Sequence, residues 1–281
     1  MLECISEHAC FGGVQGFYRH PSSAIGLPMR FSVYQPPQAK EGPVPVLFYL
    51  AGLTCTEETF MIKAGAQRFA AQHGIMLVAP DTSPRDTGIA GAADSWDFGH
   101  GAGFYLDATQ APWSAHFRME SYLVQELRDL ILRDFPASPE RIGICGHSMG
   151  GHGALVLALR HPGRFQSVSA FAPIAAPSRC PWGQKAFGHY LGPDVASWQQ
   201  HDASALMMTR TTPYPQGILI DQGLGDQFLA EQLLPQTFEA ACAAAQQPLT
   251  LRHHPGYDHG YYFISTFIED HLAFHSRNLR A

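Results

Sequence analysis

The sequence predicts an α/β protein: a mostly parallel, doubly wound sheet with helices on both faces and antiparallel strands at its start. Three observations lead there. First, the short apolar runs are continuous rather than alternating, which marks strands covered on both faces. They span 44–50, 75–79, 141–145, 167–172 and 217–220, with a last one near 249–252. Second, helical patterns separate them. Met119, Tyr122, Leu123, Leu127, Leu130 and Ile131 recur at three and four residues, while Glu120, Glu126, Asp129 and Arg133 fill the opposite face. Residues 154–159, 231–245 and 261–275 read the same way. Third, strand and helix alternate in strict rotation, as right-handed crossovers require.

The first 35 or so residues differ. Phe11-Gly12-Gly13 and 29–34 read as antiparallel strands that open the sheet. Two long stretches, 82–117 and 173–215, fit no regular element. Both follow the carboxyl ends of strands, where open α/β sheets bind ligands, and irregular segments of that length are commonly functional. With no repeat, low-complexity tract or charged linker, residues 1–281 read as a single domain.

Composition narrows the function class. The chain is 46% hydrophobic and 15% charged, ordinary for a globular protein, and its net charge of −6 argues against nucleic acid or an anionic membrane as partner. The longest apolar stretch, 44–53, is interrupted by Pro45 and Gly52 and falls far short of the ~20 residues of a membrane helix. Residues 1–8 show no secretory pattern, so a soluble, cytoplasmic protein is expected. The six cysteines are scattered without a C-x-x-C pair and read as free thiols.

The strongest motif is Gly146-His147-Ser148-Met149-Gly150-Gly151, between a strand and a helix. There the chain turns sharply, the serine takes a strained backbone position, and glycines remove side chains that would clash. Ser148 is the candidate nucleophile, and the Met149 amide is placed to donate to a developing oxyanion. A second amide is expected from the loop 51–57, where Gly52 lets the chain turn and Leu53 is the candidate donor. Thr54 or Thr56 is also placed to cap a helix from Glu57. Ser95 and Ser276 lack the elbow context and read as surface residues.

A serine hydroxyl needs an imidazole to take its proton. Of the 15 histidines, His259 sits in the turn between the final strand and the last helix, and is the candidate base. His253 and His254 read as structural, and His271 and His275 as surface residues of the last helix. The order Ser, acid, His points to a carboxylate after the strand 217–220. Asp226, on the loop proper, is favoured over Asp221, which would hold backbone in the turn, and over Asp258, which would point away from its neighbour. The grouping of His253, His254, Asp258 and His259 lacks metal-ligand spacing.

These segments together resemble the S-formylglutathione hydrolase (esterase D) family of the α/β-hydrolase fold. The resemblance runs through Gly52-Leu53-Thr54-Cys55-Thr56, Asp94-Ser95-Trp96-Asp97-Phe98-Gly99 and the serine motif. It continues through Cys180-Pro181-Trp182-Gly183-Gln184-Lys185 and Asp221-Gln222-Gly223 to Tyr257-Asp258-His259. It implies hydrolysis of S-formylglutathione to glutathione and formate, a side activity on short-chain esters, no cofactor, and a homodimer. It supports Ser148, Asp226 and His259 as triad, with Leu53 and Met149 as oxyanion hole. Trp96, Trp182, Lys185 and Cys55 become candidate substrate contacts. Lys185 would pair with a glutathione carboxylate or stand as a solvated charge, and Cys55 reads as a small packed residue near Ser148. His100 and Gly260 depart from the family pattern, where threonine and serine are expected. A general carboxylesterase or acyltransferase is the rival reading, and a thiol-sensing scaffold built on Cys55 the non-enzymatic one.

Overall fold

A computed structural model describes residues 1–209 and 214–280. Its nine strands form one sheet in the order β1-β2-β3-β5-β4-β6-β7-β8-β9. They are β1 (Glu3–Cys10), β2 (Gly13–Pro21), β3 (Pro28–Gln35), β4 (Val44–Leu50) and β5 (Met76–Pro80). β6 (Ala137–His147), β7 (Ser167–Phe171), β8 (Ile218–Gly223) and β9 (Leu249–His254) follow. The pairs β1–β2, β2–β3 and β3–β5 are antiparallel, and the pairs from β5 through β9 are parallel. The predicted architecture is therefore the observed one.

Burial follows the apolar runs. Val46 to Leu50 and Met76 to Ala79 are all at most 2% exposed, as strands covered on both faces must be. β1 is the opposite case, an exposed edge whose charges blunt it against pairing with other chains. Phe11 and Gly12 are not strand. Both take positive φ (46° and 76°) and make the two-residue turn that closes the Cys10–Gly13 pair.

Helices Ala66–His73 and Tyr261–Asn278 pack together against the sheet; Met149–Arg160 also packs on the sheet and carries Ala203–Met208 against it. Residues 119–134 are helical as predicted, with a wider π-type section at Tyr122–Leu127. The predicted 231–245 helix is a π-type turn Leu229–Leu233 followed by helix Pro235–Ala244. Among the described residues no helix is long and apolar enough to cross a membrane.

The two long stretches part company. Residues 82–117 are irregular apart from the turn Trp113–Ala115, yet Phe104, Tyr105 and Leu106 are at most 1% exposed, so the segment is packed as core. The stretch 173–215 contains helices Pro181–Tyr190, Val195–Trp198 and Ala203–Met208, a correction to the expected irregularity; its residues 210–213 lie outside those described. These helices are short and lack a long apolar stripe. They start at local signals: Pro181 at the first turn, and Asp194 and Asp202 capping Ala196 and Ala205.

Register decides where the loops meet. Leu50 pairs with Gly146, His147 with Phe171, Phe171 with Asp221, and Gly223 with His254. The carboxyl ends of β4, β6, β7, β8 and β9 thus form one edge. β4 is also where strand order reverses, with β5 on one side and β6 on the other, and such switch points open ligand crevices.

Candidate active site

Ser148 stands between β6 and helix Met149–Arg160 with φ 58° and ψ −120°. That backbone is strained for a side-chain-bearing residue and persists only where the surroundings over-determine it. Its amide donates to the Phe171 carbonyl at 3.0 Å, and its carbonyl accepts from His152 and Ile174 at 2.9 and 3.2 Å. The glycines of the motif answer to close approach. A Cβ at Gly146 would lie 2.1 Å from the Gly150 carbonyl oxygen, and one at Gly150 would lie 1.9 Å from that of Leu50. No alanine fits either place, so strand and helix can meet at this angle only with glycine there.

The loop after β4 lies against the serine: a Cβ on Gly52 would sit 3.1 Å from Ser148 Cβ. Among the turns, loops and caps of the described residues, the Leu53 and Met149 amides have no backbone acceptor. Two free donors flanking the serine are what an oxyanion hole needs. Thr56 caps helix Glu57–Lys63, its hydroxyl accepting from Glu58 while Thr59 returns a bond to the Thr56 amide. Of the two threonines proposed as cap, Thr56 does the capping; Thr54 instead has φ 68°.

His259 and Asp226 come together. Nδ1 of His259 lies 2.5 Å from Asp226 Oδ2, and the Asp226 side chain is fully buried. Its carboxylate also accepts from the Phe228 amide at 2.8 Å and from Gln222 Nε2 at 3.4 Å. The loops carrying the pair are knitted together: the Gly225 amide donates to the Tyr257 carbonyl and Leu224 to His254. With Nδ1 committed to the carboxylate, Nε2 is the nitrogen open to a hydroxyl proton. Asp258 is turned away, accepting from the Gly260 amide at 2.8 Å. Among the described residues no hydrogen bond joins the Ser148 hydroxyl to His259, a contact that commonly tightens only with substrate bound. His147 links the two residues, adjacent to Ser148 in sequence and with its ring 4.5 Å from that of His259. Burial, and then the charge of His259, hold the His147 imidazole well below its usual pKa, so it stays neutral.

An aromatic wall runs outward from His259. Phe228 packs on His259 at 5.0 Å, Trp182 on Phe228 at 4.7 Å, and Trp96 on Trp182 at 5.6 Å. Trp182 is buried and Trp96 is exposed, so the wall ends at the surface. Lys185 is neither free nor merely solvated. Its amine lies 2.5 Å from Asp97 Oδ1 and 3.0 Å from Ser95 Oγ, which ties helix Pro181–Tyr190 to the Trp96 loop. Burial raises the Cys55 thiol above its usual pKa, which lowers its thiolate fraction and speaks against the thiol-sensor reading. Cys145 is fully buried, its thiol pushed up to about 12 by burial. His100 faces its own segment, with Nε2 3.3 Å from Thr87 Oγ1.

The structure overturns three expectations. His271 and His275 are not surface residues; both are fully buried. His271 binds Ser169 Oγ at 2.8 Å and Asp221 Oδ2 at 3.2 Å, and His275 lies between Ser167 and Ser169. Asp221 does not hold turn backbone. It is a buried strand residue paired bidentately with Arg252 at 2.6 Å, with His254 3.2 Å away. Ser276 is 8% exposed and Ser95 half-buried, so neither is a plain surface serine. His254 stacks on Phe267 at 3.8 Å, a structural role as expected, while His253 is exposed.

Strand order, the strained elbow and the imidazole–carboxylate pair at one sheet edge define a hydrolase of the α/β-hydrolase fold. The "Putative esterase" family model matches residues 22–274. An S-formylglutathione hydrolase of Rattus norvegicus is 52% identical over 281 residues, covering 100% of this chain and 99% of that protein. One from Paracoccus denitrificans is 53% identical over 277 residues, covering 99% and 98%. The solved structure of an S-formylglutathione hydrolase from Agrobacterium tumefaciens superposes with a TM-score of 0.96 at 48% identity, covering 99% of both chains. The chain belongs to the S-formylglutathione hydrolase family of esterases.

Proposed function

We propose that this chain hydrolyses S-formylglutathione to glutathione and formate through an acyl-serine intermediate. The reading rests on one observation: a strained elbow serine shares a sheet edge with an imidazole already paired to a buried carboxylate, in a chain matched end to end by that family. Ser148 Oγ attacks the formyl carbon as His259 Nε2 takes its proton. The Leu53 and Met149 amides stabilise the oxyanion, and the thiolate departs, protonated by the imidazolium. A water, deprotonated in turn by His259, then attacks the formyl-serine, and formate leaves as the imidazolium returns its proton to Ser148 Oγ. Asp226 holds the Nδ1–H tautomer and stabilises the imidazolium.

A thioester suits this site because thiolate is a good leaving group. Trp182 and Trp96 form a wall along which the thiol portion runs. Lys185, though paired with Asp97 and Ser95, is 39% exposed and keeps a third N–H, so it remains the candidate contact for a glutathione carboxylate. The deciding experiment compares kcat/KM on S-formylglutathione and on p-nitrophenyl acetate. A strong preference for the thioester is expected; a strong preference for the ester makes the chain a general carboxylesterase. The cytoplasmic location, the homodimer and a single cooperative unit over residues 1–281 belong to the same reading. Cell fractionation, light scattering and a single calorimetric transition test them.

A further inference from the structure

The segment 82–117 grips the oxyanion loop 51–56 along its length. Tyr105 Oη donates to the Ala51 carbonyl at 2.8 Å, and the Thr54 amide donates to the Gly101 carbonyl at 2.9 Å. The Cys55 carbonyl accepts two hydrogen bonds, from Thr82 Oγ1 at 2.6 Å and from Arg85 Nη2 at 3.0 Å. Arg85 is itself held by Asp81, with Nη2 2.7 Å from Oδ1 and Nε 3.1 Å from Oδ2. Asp81 directly follows β5 and is 4% exposed, so this anchor is fixed to the sheet.

Within the gripped loop one backbone hydrogen bond closes a turn, from the Cys55 amide to the Gly52 carbonyl at 3.3 Å. Residues 51–56 belong to no helix or strand, and Thr54 sits at φ 68°, a backbone that side chains disfavour. Such a conformation persists only when neighbours enforce it. At one end Gly52 abuts Ser148. At the other the holding group is a guanidinium, and charge-assisted hydrogen bonds are about twice as strong as neutral ones.

We propose that Arg85 is a positioning residue for the reaction. By tying the Cys55 carbonyl to Asp81, it keeps the Leu53 amide where the oxyanion forms. It touches no reacting atom. The inference rests on Leu53 being an oxyanion donor. A donor used in the transition state affects kcat rather than substrate binding, so loosening it lowers kcat and leaves KM in place.

The surroundings of Arg85 supply a test that a merely structural role does not pass. Its side chain is 35% exposed and lines a cavity of about 540 Å³ with Arg30, Glu57, Asp81 and Asp86. Arg85→Ala therefore opens a gap beside the Asp81 carboxylate that a free guanidinium ion can reach. Kinetics per fluorophosphonate-titrated site, on both p-nitrophenyl acetate and S-formylglutathione, should show kcat reduced about 10- to 100-fold, below the ~10²–10³-fold of losing a donor outright. KM should stay within about three-fold, Arg85→Lys should fall between, and millimolar guanidinium should restore Arg85→Ala without affecting wild type. A folded Arg85→Ala enzyme with wild-type kcat, with its loss in KM, or unresponsive to guanidinium overturns the proposal. If that variant does not fold, Thr82→Val removes the other donor to the same carbonyl; wild-type kcat there overturns the proposal, and a several-fold drop at constant KM upholds it. The underlying reading is tested separately. Wild-type kcat in Leu53→Pro refutes the donor, and a wild type inactive on the thioester refutes the substrate while leaving the ester comparison intact.

Discussion

Glu57 begins a helix directly after the loop 51–56, yet it is 3% exposed. Burial, and then the charge of Asp81, push its carboxyl from 4.5 up to about 7, with Arg30 offsetting part of the rise. Between these two values the folded protein keeps a proton that the unfolded chain has released. The stabilisation linked to this group is complete below about pH 4.5 and is lost as pH rises through about 7. A rise of about 2.5 units at 1.36 kcal/mol each is about 3 kcal/mol. Unfolding entropy of ~2.1 cal/mol/K per residue over 281 residues converts this to about 5 °C in Tm. Glu57→Gln keeps the shape of the neutral acid and cannot ionise. Thermal unfolding of wild type and variant at pH 4.5 and pH 8 should show equal Tm at the lower pH and a variant about 5 °C more stable at the higher. A Tm difference that is the same at both pH values, or a variant less stable at pH 8, would refute the argument that burial keeps this carboxyl protonated.

Ser148→Ala and His259→Ala should lose nearly all turnover while unfolding at wild-type temperature. A fluorophosphonate probe should label wild type and not Ser148→Ala, and equal labelling of both would remove Ser148 as nucleophile. Asp226→Asn keeps the geometry but favours the wrong tautomer, so its kcat should fall by about 10⁴ or less; wild-type kcat would move the acid role elsewhere. Asp221→Ala leaves the buried His271 without its acceptor and Arg252 with Asp270 alone, and should cost about 1–3 kcal/mol in urea unfolding at neutral pH. Its hydrogen bonds hold the Asp221 carboxyl well below the usual range despite burial, so that stabilisation should disappear from wild type only at strongly acidic pH. A loss under 1 kcal/mol would show that the pair is dispensable.

Much of this protein was legible before folding because the information was local. Continuous apolar runs marked β4 to β8, since a strand buried on both faces is mostly apolar and carries polar residues only where they find buried partners, as Ser169 and Asp221 do. The elbow was readable because the steric demand of Gly146, Ser148 and Gly150 falls within five residues. The order of serine, acid and histidine placed Asp226 and His259 on successive strand ends, where the parallel register brings them to one edge. Arg85, by contrast, carried no local signal. Asp81 lies four residues before it, but the Cys55 carbonyl, 30 positions away, meets it only through the packing of an irregular segment.

The sequence by itself determined the sheet, the bend that presents Ser148, and the loops on which its partners lie. Tertiary structure alone decided which polar groups pair. His271 and His275 read as solvent-facing until the last helix turns that face onto Ser169 and Asp221. Lys185 reads as a free charge until the Trp96 loop brings Asp97 against it. The physical reason is range. Backbone sterics and apolar periodicity act over a few residues, whereas a hydrogen bond between side chains 50 or 100 positions apart exists only once packing has brought their faces together.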